Sequence, residues 1–221
     1  VARNVVVSET EGKSRYYAAS FNLQRERGER DFSYRLNYTL SFLENNTEDI
    51  NFRAMDANDF ESEWGPSIND RRHIINGIFN YYPANNLGIT LAALIQSGQP
   101  INRIPDATVF GTTDLNGDGA SFGDAYVGNS DRFPGESRNN DRLPWSNVFD
   151  LGIQYEFDLG DSALEFRADI FNVFNAENLS GYTNNATQSN QIQVGPRSSG
   201  LIVQRNAGPP RQFQFGVRYL W

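Results

Sequence analysis

Cysteine is absent from the 221 residues, so no disulfide or thiol chemistry contributes to this chain. That absence suits an oxidising compartment. A long apolar run is missing as well. No window approaches the roughly 20 consecutive apolar residues that a spanning helix requires, and the mean hydropathy is −0.57. A helical membrane protein is thereby excluded. Barrel strands escape this test, because half of their residues face a lumen and can be polar. Basic residues are in deficit, with 19 Lys and Arg against 27 Asp and Glu and a net charge of −8. An anionic surface argues against a nucleic-acid partner, whose phosphates need a basic one. A signal peptide is not visible: Val1-Ala-Arg-Asn-Val-Val-Val has neither a basic leading region nor a long apolar one. It reads as an interrupted strand, and the chain is expected to begin inside a longer polypeptide.

What is present is alternation. In Arg211-Gln-Phe-Gln-Phe-Gly-Val-Arg-Tyr-Leu-Trp221, the residues Phe213, Phe215, Val217, Tyr219 and Trp221 occupy every second position, with Gln212, Gln214, Gly216 and Arg218 in the gaps. A strand sends successive side chains to opposite faces, which makes one face aromatic and the other wet. The same period of two runs through Phe32–Phe42, Leu87–Ile95, Phe149–Leu159 and Leu164–Ile170. It is weaker at Tyr17–Leu23 and around Ile74–Tyr82, with a stub at Val5–Val7. This predicts about eight strands of roughly 9–13 residues, long enough when tilted to cross an outer-membrane apolar band of about 25 Å.

The connections alternate in length. Short turns rich in turn formers are predicted at Gly28–Arg30, Pro83–Asn86 and Gly160–Ser162. Long polar excursions run through Glu44–Asp70, Ser97–Trp145 and Glu177–Pro210, with the short link Glu9–Lys13 as an exception. Short turns at one end and long loops at the other are the pattern of outer-membrane barrels. A β-sandwich also alternates, but its strands average about 5–6 residues and its loops are rarely this long. Tyr16, Tyr17, Tyr81, Tyr82, Phe157, Tyr219 and Trp221 near strand ends suit an aromatic girdle. The expected fold is all-β: an antiparallel transmembrane β-barrel, with residues 1–221 as one segment of it. With Trp221 at the periplasmic side, the three long loops fall outside the cell.

Several phrases, in order, resemble TonB-dependent outer-membrane receptors of the Oar-like group, which carry a carboxypeptidase-regulatory-like domain. They are Asn69-Asp-Arg-Arg-His73, Gln96-Ser-Gly-Gln-Pro100, Asp114-Leu-Asn-Gly-Asp-Gly119 and Ile170-Phe-Asn-Val-Phe-Asn-Ala-Glu-Asn178, followed by the aromatic C-terminus. The likeness spans Ser14 to Trp221. The resemblance implies that these strands are the C-terminal part of a barrel of about 22 strands. It implies a Gram-negative cell-envelope protein that takes up an unidentified substrate with energy delivered through the TonB complex. Phe213, Phe215, Val217, Tyr219 and Trp221 would then be the signal read by the barrel-assembly machinery. The other partners would be outer-membrane lipid and lipopolysaccharide. The alternative is a structural or adhesive outer-membrane barrel, including a closed eight-stranded one, that displays loops and transports nothing. No enzyme activity and no required cofactor are expected.

Three constellations invite chemistry. Asp114, Asn116 and Asp118 followed by Gly119 match the opening of a calcium loop; the twelfth position holds Ala125, with Asp124 one place early. The same residues are ordinary turn formers. Gly119-Ala-Ser121-Phe-Gly123 matches a hydrolase nucleophile elbow in letters only, since no helical pattern follows it. The sole histidine, His73, sits among arginines and reads as an interfacial or lumen-facing side chain. Loop Glu44–Asp70 carries Glu44, Glu48, Asp49, Asp56, Asp59, Glu61, Glu63 and Asp70 against Arg53 alone. It reads as a solvated acidic surface, or as a mouth that attracts cations. Arg35, Asp150, Glu156, Glu165, Arg167 and Asp169 are expected to form interstrand ion pairs along the lumen wall.

Overall fold

The structure, a computed structural model, describes residues 8–48, 54–56, 58–105, 110–112, 114–115, 117, 131–133, 135–178, 191–194 and 208–221. Its strands are β1 (Ser14–Arg25), β2 (Phe32–Asn45), β3 (Gly65–Pro66), β4 (His73–Ala84), β5 (Leu87–Gln96), β6 (Pro100–Pro105), β7 (Asp141–Arg142), β8 (Ser146–Asp158), β9 (Ala163–Phe171), β10 (Gln191–Val194) and β11 (Gln212–Leu220). The seven long ones form a single antiparallel meander, β1-β2-β4-β5-β8-β9-β11, with β3 added beside β2. The all-β antiparallel fold expected from the alternation is therefore present. The sheet is open among the described residues, with β1 and β11 as its edges. The stub at Val5–Val7, counted as an eighth strand, lies outside the described residues. A small second sheet, β10-β6-β7, has β10 parallel to β6 and was not foreseen. Among the described residues no helix is long and apolar enough to cross a membrane, which says nothing of strands.

Register turns local alternation into two faces. Tyr34, Phe79, Leu91, Leu151, Ile170 and Phe213 are successive partners and make one row across the sheet. The adjacent row, one residue away, is Ser33, Asn80, Thr90, Gly152, Asp169 and Gln214. Polar side chains in these rows satisfy each other. Asn80 Nδ2 donates to Ser33 Oγ at 3.2 Å, and Thr90 Oγ1 donates to Asn80 Oδ1 at 2.8 Å. Asn37 Nδ2 donates to Asn76 Oδ1 at 2.9 Å in a third rung.

Short turns join β1 to β2, β4 to β5 and β8 to β9; the long connections all leave from the other end. Leu220 pairs with Ala163, so the C-terminus sits at the short-turn end. In the β8–β9 turn the Asp158 carboxylate accepts from Gly160 N at 2.8 Å, and Gly160 has a φ of +90°, which a side chain would strain. The turn expected over Pro83–Asn86 is tighter than that. β4 continues through Pro83 to Ala84, which pairs with Leu87, and the ladder shifts register between Tyr81 and Ala84. Proline has no N–H to donate, so it sits at this irregularity rather than in the turn.

Nothing among the described residues covers the apolar face. Phe21 is 62% exposed, Phe213 59%, Phe215 77% and Val217 65%. Among the described residues the buried apolar side chains are instead Ile68, Pro100, Ile101 and Leu143, all from the long connections. The packed part of the molecule is a cap at the long-loop end, and most of what it buries is polar.

Candidate functional site

The cap grows from the end of β2. Asn45 and Asn46 are buried there. Asn46 Nδ2 donates to Glu11 O at 2.9 Å, and its Oδ1 accepts from Lys13 N at 2.7 Å, fastening the incoming chain. Glu48 receives Ile68 N at 3.0 Å, Ser67 Oγ at 3.1 Å and Asn139 Nδ2 at 3.0 Å, together with the Arg138 guanidinium. Glu63 lies in a short 3-10 turn, Glu61–Glu63. It takes a two-pronged bond from Arg132, whose Nη1 and Nη2 lie 2.8 and 2.9 Å from its oxygens, and accepts from Met55 N at 2.7 Å. Arg138 also reaches Glu63 O from Nε at 3.1 Å and Asn45 O from Nη2 at 2.6 Å. Asp70 accepts from Leu43 N at 2.9 Å and from Arg142.

Both members of the Arg132–Glu63 pair are at most 2% exposed. Water is excluded, so each charge depends on its partner, and the planar fork of arginine satisfies two carboxylate oxygens at once. Burial lowers the Arg138 pKa from its usual value, opposed by the adjacent Glu48 and Glu63 carboxylates. By contrast, Lys13 is exposed and its pKa is raised by its hydrogen bond to Glu61 at 2.5 Å.

These contacts revise the reading of the acidic stretch. Glu48, Glu63 and Asp70 are buried in ion pairs, and of the described carboxylates Asp56, Asp59 and Glu61 are exposed. Their partners Arg132, Arg138 and Arg142, with Asn139, were not singled out from the sequence. A signal was there: the second long excursion carries its own arginine cluster a short way before β8, opposite in sign to the first.

On the polar face Glu165 accepts from Arg218 Nη2 and Gln154 Nε2, both at 2.6 Å, so it does pair across strands, but with partners outside the set named from the sequence. Arg167 instead pairs with Asp169 on its own strand at 2.8 Å, because residues two apart share a face. Asp150 accepts from Asn172 N at 2.8 Å.

Ile170–Asn178 forms a built corner after β9. Asn172 has a φ of +51°; its Nδ2 donates to Ala176 O and Pro209 O, both at 3.0 Å, and its Oδ1 accepts from Ala176 N at 2.8 Å. Asn178 bonds both the N–H and the C=O of Asn147, at 2.7 and 2.8 Å. Asp150, Asn172, Asn178 and Gln212 line a cavity of about 270 Å³ beside this corner. Its two asparagine amides are already engaged, so it is a seam between strands more than a ligand site.

His73 belongs to the apolar face at the cap end, opposite Leu40. It stacks between Tyr38 and Trp145, with ring centroids 6.1 and 5.5 Å away, and Tyr38 Oη lies 2.9 Å from its Nδ1. Of its two readings, the interfacial one fits this position. Tyr16 and Tyr82 leave the expected girdle. Tyr16 alternates with Tyr17, and Tyr82 lies against Gly88 on the polar face. Phe213, Phe215, Val217 and Tyr219 lie in register with Ile170, Ala168, Phe166 and Leu164, and Trp221, 94% exposed, stacks on Tyr219 with ring centroids 6.0 Å apart.

For the calcium reading, Asn116, Asp118 and Asp124 lie outside the described residues. The Asp114 carboxylate makes a local turn contact, accepting from Gly117 N, three residues on, at 2.6 Å. Among the described residues no metal-binding group of His, Cys, Asp and Glu occurs. The Gly119–Gly123 phrase also lies outside them. No protein-family model matches the chain, and no curated protein matches it.

Proposed function

We propose that the chain is the C-terminal part of an outer-membrane barrel of a TonB-dependent receptor of the Oar-like type. In this reading it forms part of the wall and outer mouth of an energised uptake channel for an unidentified substrate. The observation that carries the membrane part is the continuous apolar face, aligned in register over seven strands and left uncovered. A soluble protein rarely leaves so large an apolar surface without a partner. The hydrocarbon of a bilayer suits it, while the hydrogen-bonded polar face suits a wet lumen. Segregation of every long connection to one end supports the orientation with the cap outside and Trp221 at the periplasmic rim. TonB coupling rests on the ordered phrases of the sequence. Calcium in the 114–124 loop stays part of the proposal as a loop-stabilising ion with no role in transport.

The test compares two deletion strains of the source organism, one lacking this protein and one lacking TonB. The protein should fractionate with the outer membrane, and both strains should fail to take up at least one common compound from a nutrient panel. Recovery in the soluble fraction would sink the membrane reading. Full uptake of every TonB-carried compound without this protein would sink the transport reading alone. The fixed cap favours a second reading, a surface barrel that displays loops and moves nothing. Reduced surface adhesion with unchanged uptake in the deletion strain would support that one.

A further inference from the structure

We infer that the rim around Arg72 binds the phosphate of an outer-leaflet lipid headgroup, an inference that rests on the membrane reading above. Arg72 is the second arginine of the phrase Asn69–His73, which the transport reading leaves without a role. Its guanidinium carbon lies over the Phe42 ring, 4.3 Å from the centroid. Phe42 pairs with Tyr17 on the apolar face and is 41% exposed. An aromatic ring beneath a guanidinium fixes its plane without consuming its N–H donors, which leaves the terminal Nη groups available to an oxyanion.

The charge around Arg72 is incompletely matched. Its Nε is buried and makes no hydrogen bond, and Asp70 lies 3.8 Å from its Nη2, so the exposed part of the guanidinium is its Nη end. That carboxylate already accepts from Arg142 and from Leu43 N at 2.9 Å. Two guanidiniums therefore share one carboxylate, and the more exposed of them is Arg72, with 40% of its side chain open. The two guanidiniums carry one charge more than the carboxylate they share.

A lipid is the occupant that fits, because the site has two chemistries in sequence along the strands. The cation lies at the cap end, where the proposed orientation puts the headgroups, and the apolar face continues from it toward the short turns. Trp145, 49% exposed and stacked on His73, lies at the same rim. Indole rings prefer this depth of a bilayer, with one edge wet and the body in hydrocarbon. Inorganic phosphate would satisfy Arg72 and leave the apolar floor uncovered; a lipid-borne phosphate satisfies both.

The experiment uses the full protein extracted from outer membranes, with folding verified by heat-dependent migration in gels. Native mass spectrometry counts bound lipid A and bound dephosphorylated lipid A. Wild type should retain the phosphorylated lipid preferentially. Arg72→Gln should weaken that retention about tenfold, the worth of a charge-assisted hydrogen bond, and Arg72→Lys should restore part of it. Arg167→Gln, on the polar face, should leave it unchanged. Equal retention of the two lipids by wild type would overturn the inference, and that comparison needs no variant to fold. Undiminished retention by a folded Arg72→Gln protein would overturn it too, as would displacement by an equal concentration of inorganic phosphate. Absence of the protein from outer membranes would instead strike at the membrane reading itself. A folded outer-membrane protein without lipid discrimination would strike at this inference alone.

Discussion

Glu63 and Lys13 take part in ion pairs of similar length and opposite consequence. Glu63 faces Arg132 with water excluded on both sides, whereas Lys13 and Glu61 keep 56% and 68% of their side chains exposed. Exposed pairs contribute little, while a buried charge stripped of its partner is strongly destabilising. Glu63→Gln should therefore cost about 3–5 kcal/mol in cap stability, read as faster protease cleavage within 131–142. Lys13→Ala should leave the cleavage rate unchanged. The backbone makes a similar demand at Gly98, where an added Cβ would collide with Leu143 O. Gly98→Ala should cost about 1–3 kcal/mol or more by overpacking, again read by protease sensitivity of the same loop. Little of this was legible beforehand. The acid-rich stretch announces its charge, but Glu48 and Arg138 meet across a sequence separation of 90. Loop-to-loop pairing has no periodicity from which to infer it, so a net-charge count treats buried carboxylates as solvated ones.

Elements were far more readable, because a strand writes its faces into every second residue. Alternation over Phe32–Phe42 anticipates β2, and Phe149–Leu159 anticipates β8, each to within a few residues. The errors fall where backbone chemistry overrides pattern. Pro83 looked like the start of a turn and proved to be a strand residue at a ladder irregularity. The corner Ile170–Asn178 was visible as a phrase, yet its mechanics depend on Asn172 holding a left-handed backbone while its amide bonds Ala176 and Pro209. Two contributions can be separated there. Asn172→Ala loses both and should cost about 2–4 kcal/mol. Asn172→Gly keeps the backbone freedom and should recover about 1–2 kcal/mol of that. The temperature at which the folded gel band converts to the unfolded one reads the difference. Equal losses in the two variants would mean that the conformation of residue 172 carries no strain.

For the whole molecule, the decisive quantity is register. A slip of one residue in a single strand sends all of its aromatic side chains to the polar side. The sequence specifies alternation within each strand but not its phase relative to the neighbours. Five interstrand alignments must agree before the row from Tyr34 to Phe213 exists, and in the structure they do. Among the described residues β1 and β11 have open edges and one apolar side is uncovered, and edges and apolar surface both invite pairing or a membrane. Which medium meets which side is open to a direct substitution test. Leu151 lies near the middle of β8 in the apolar row, while Gln154, three residues on, faces the opposite side. An arginine in hydrocarbon at that depth costs roughly 2–4 kcal/mol, and one facing a wet lumen costs far less. Leu151→Arg should thus lower the heat-conversion temperature and the outer-membrane yield of the full protein, and Gln154→Arg should do neither. Comparable damage from both would undo the assignment of Leu151 to lipid and Gln154 to a wet lumen.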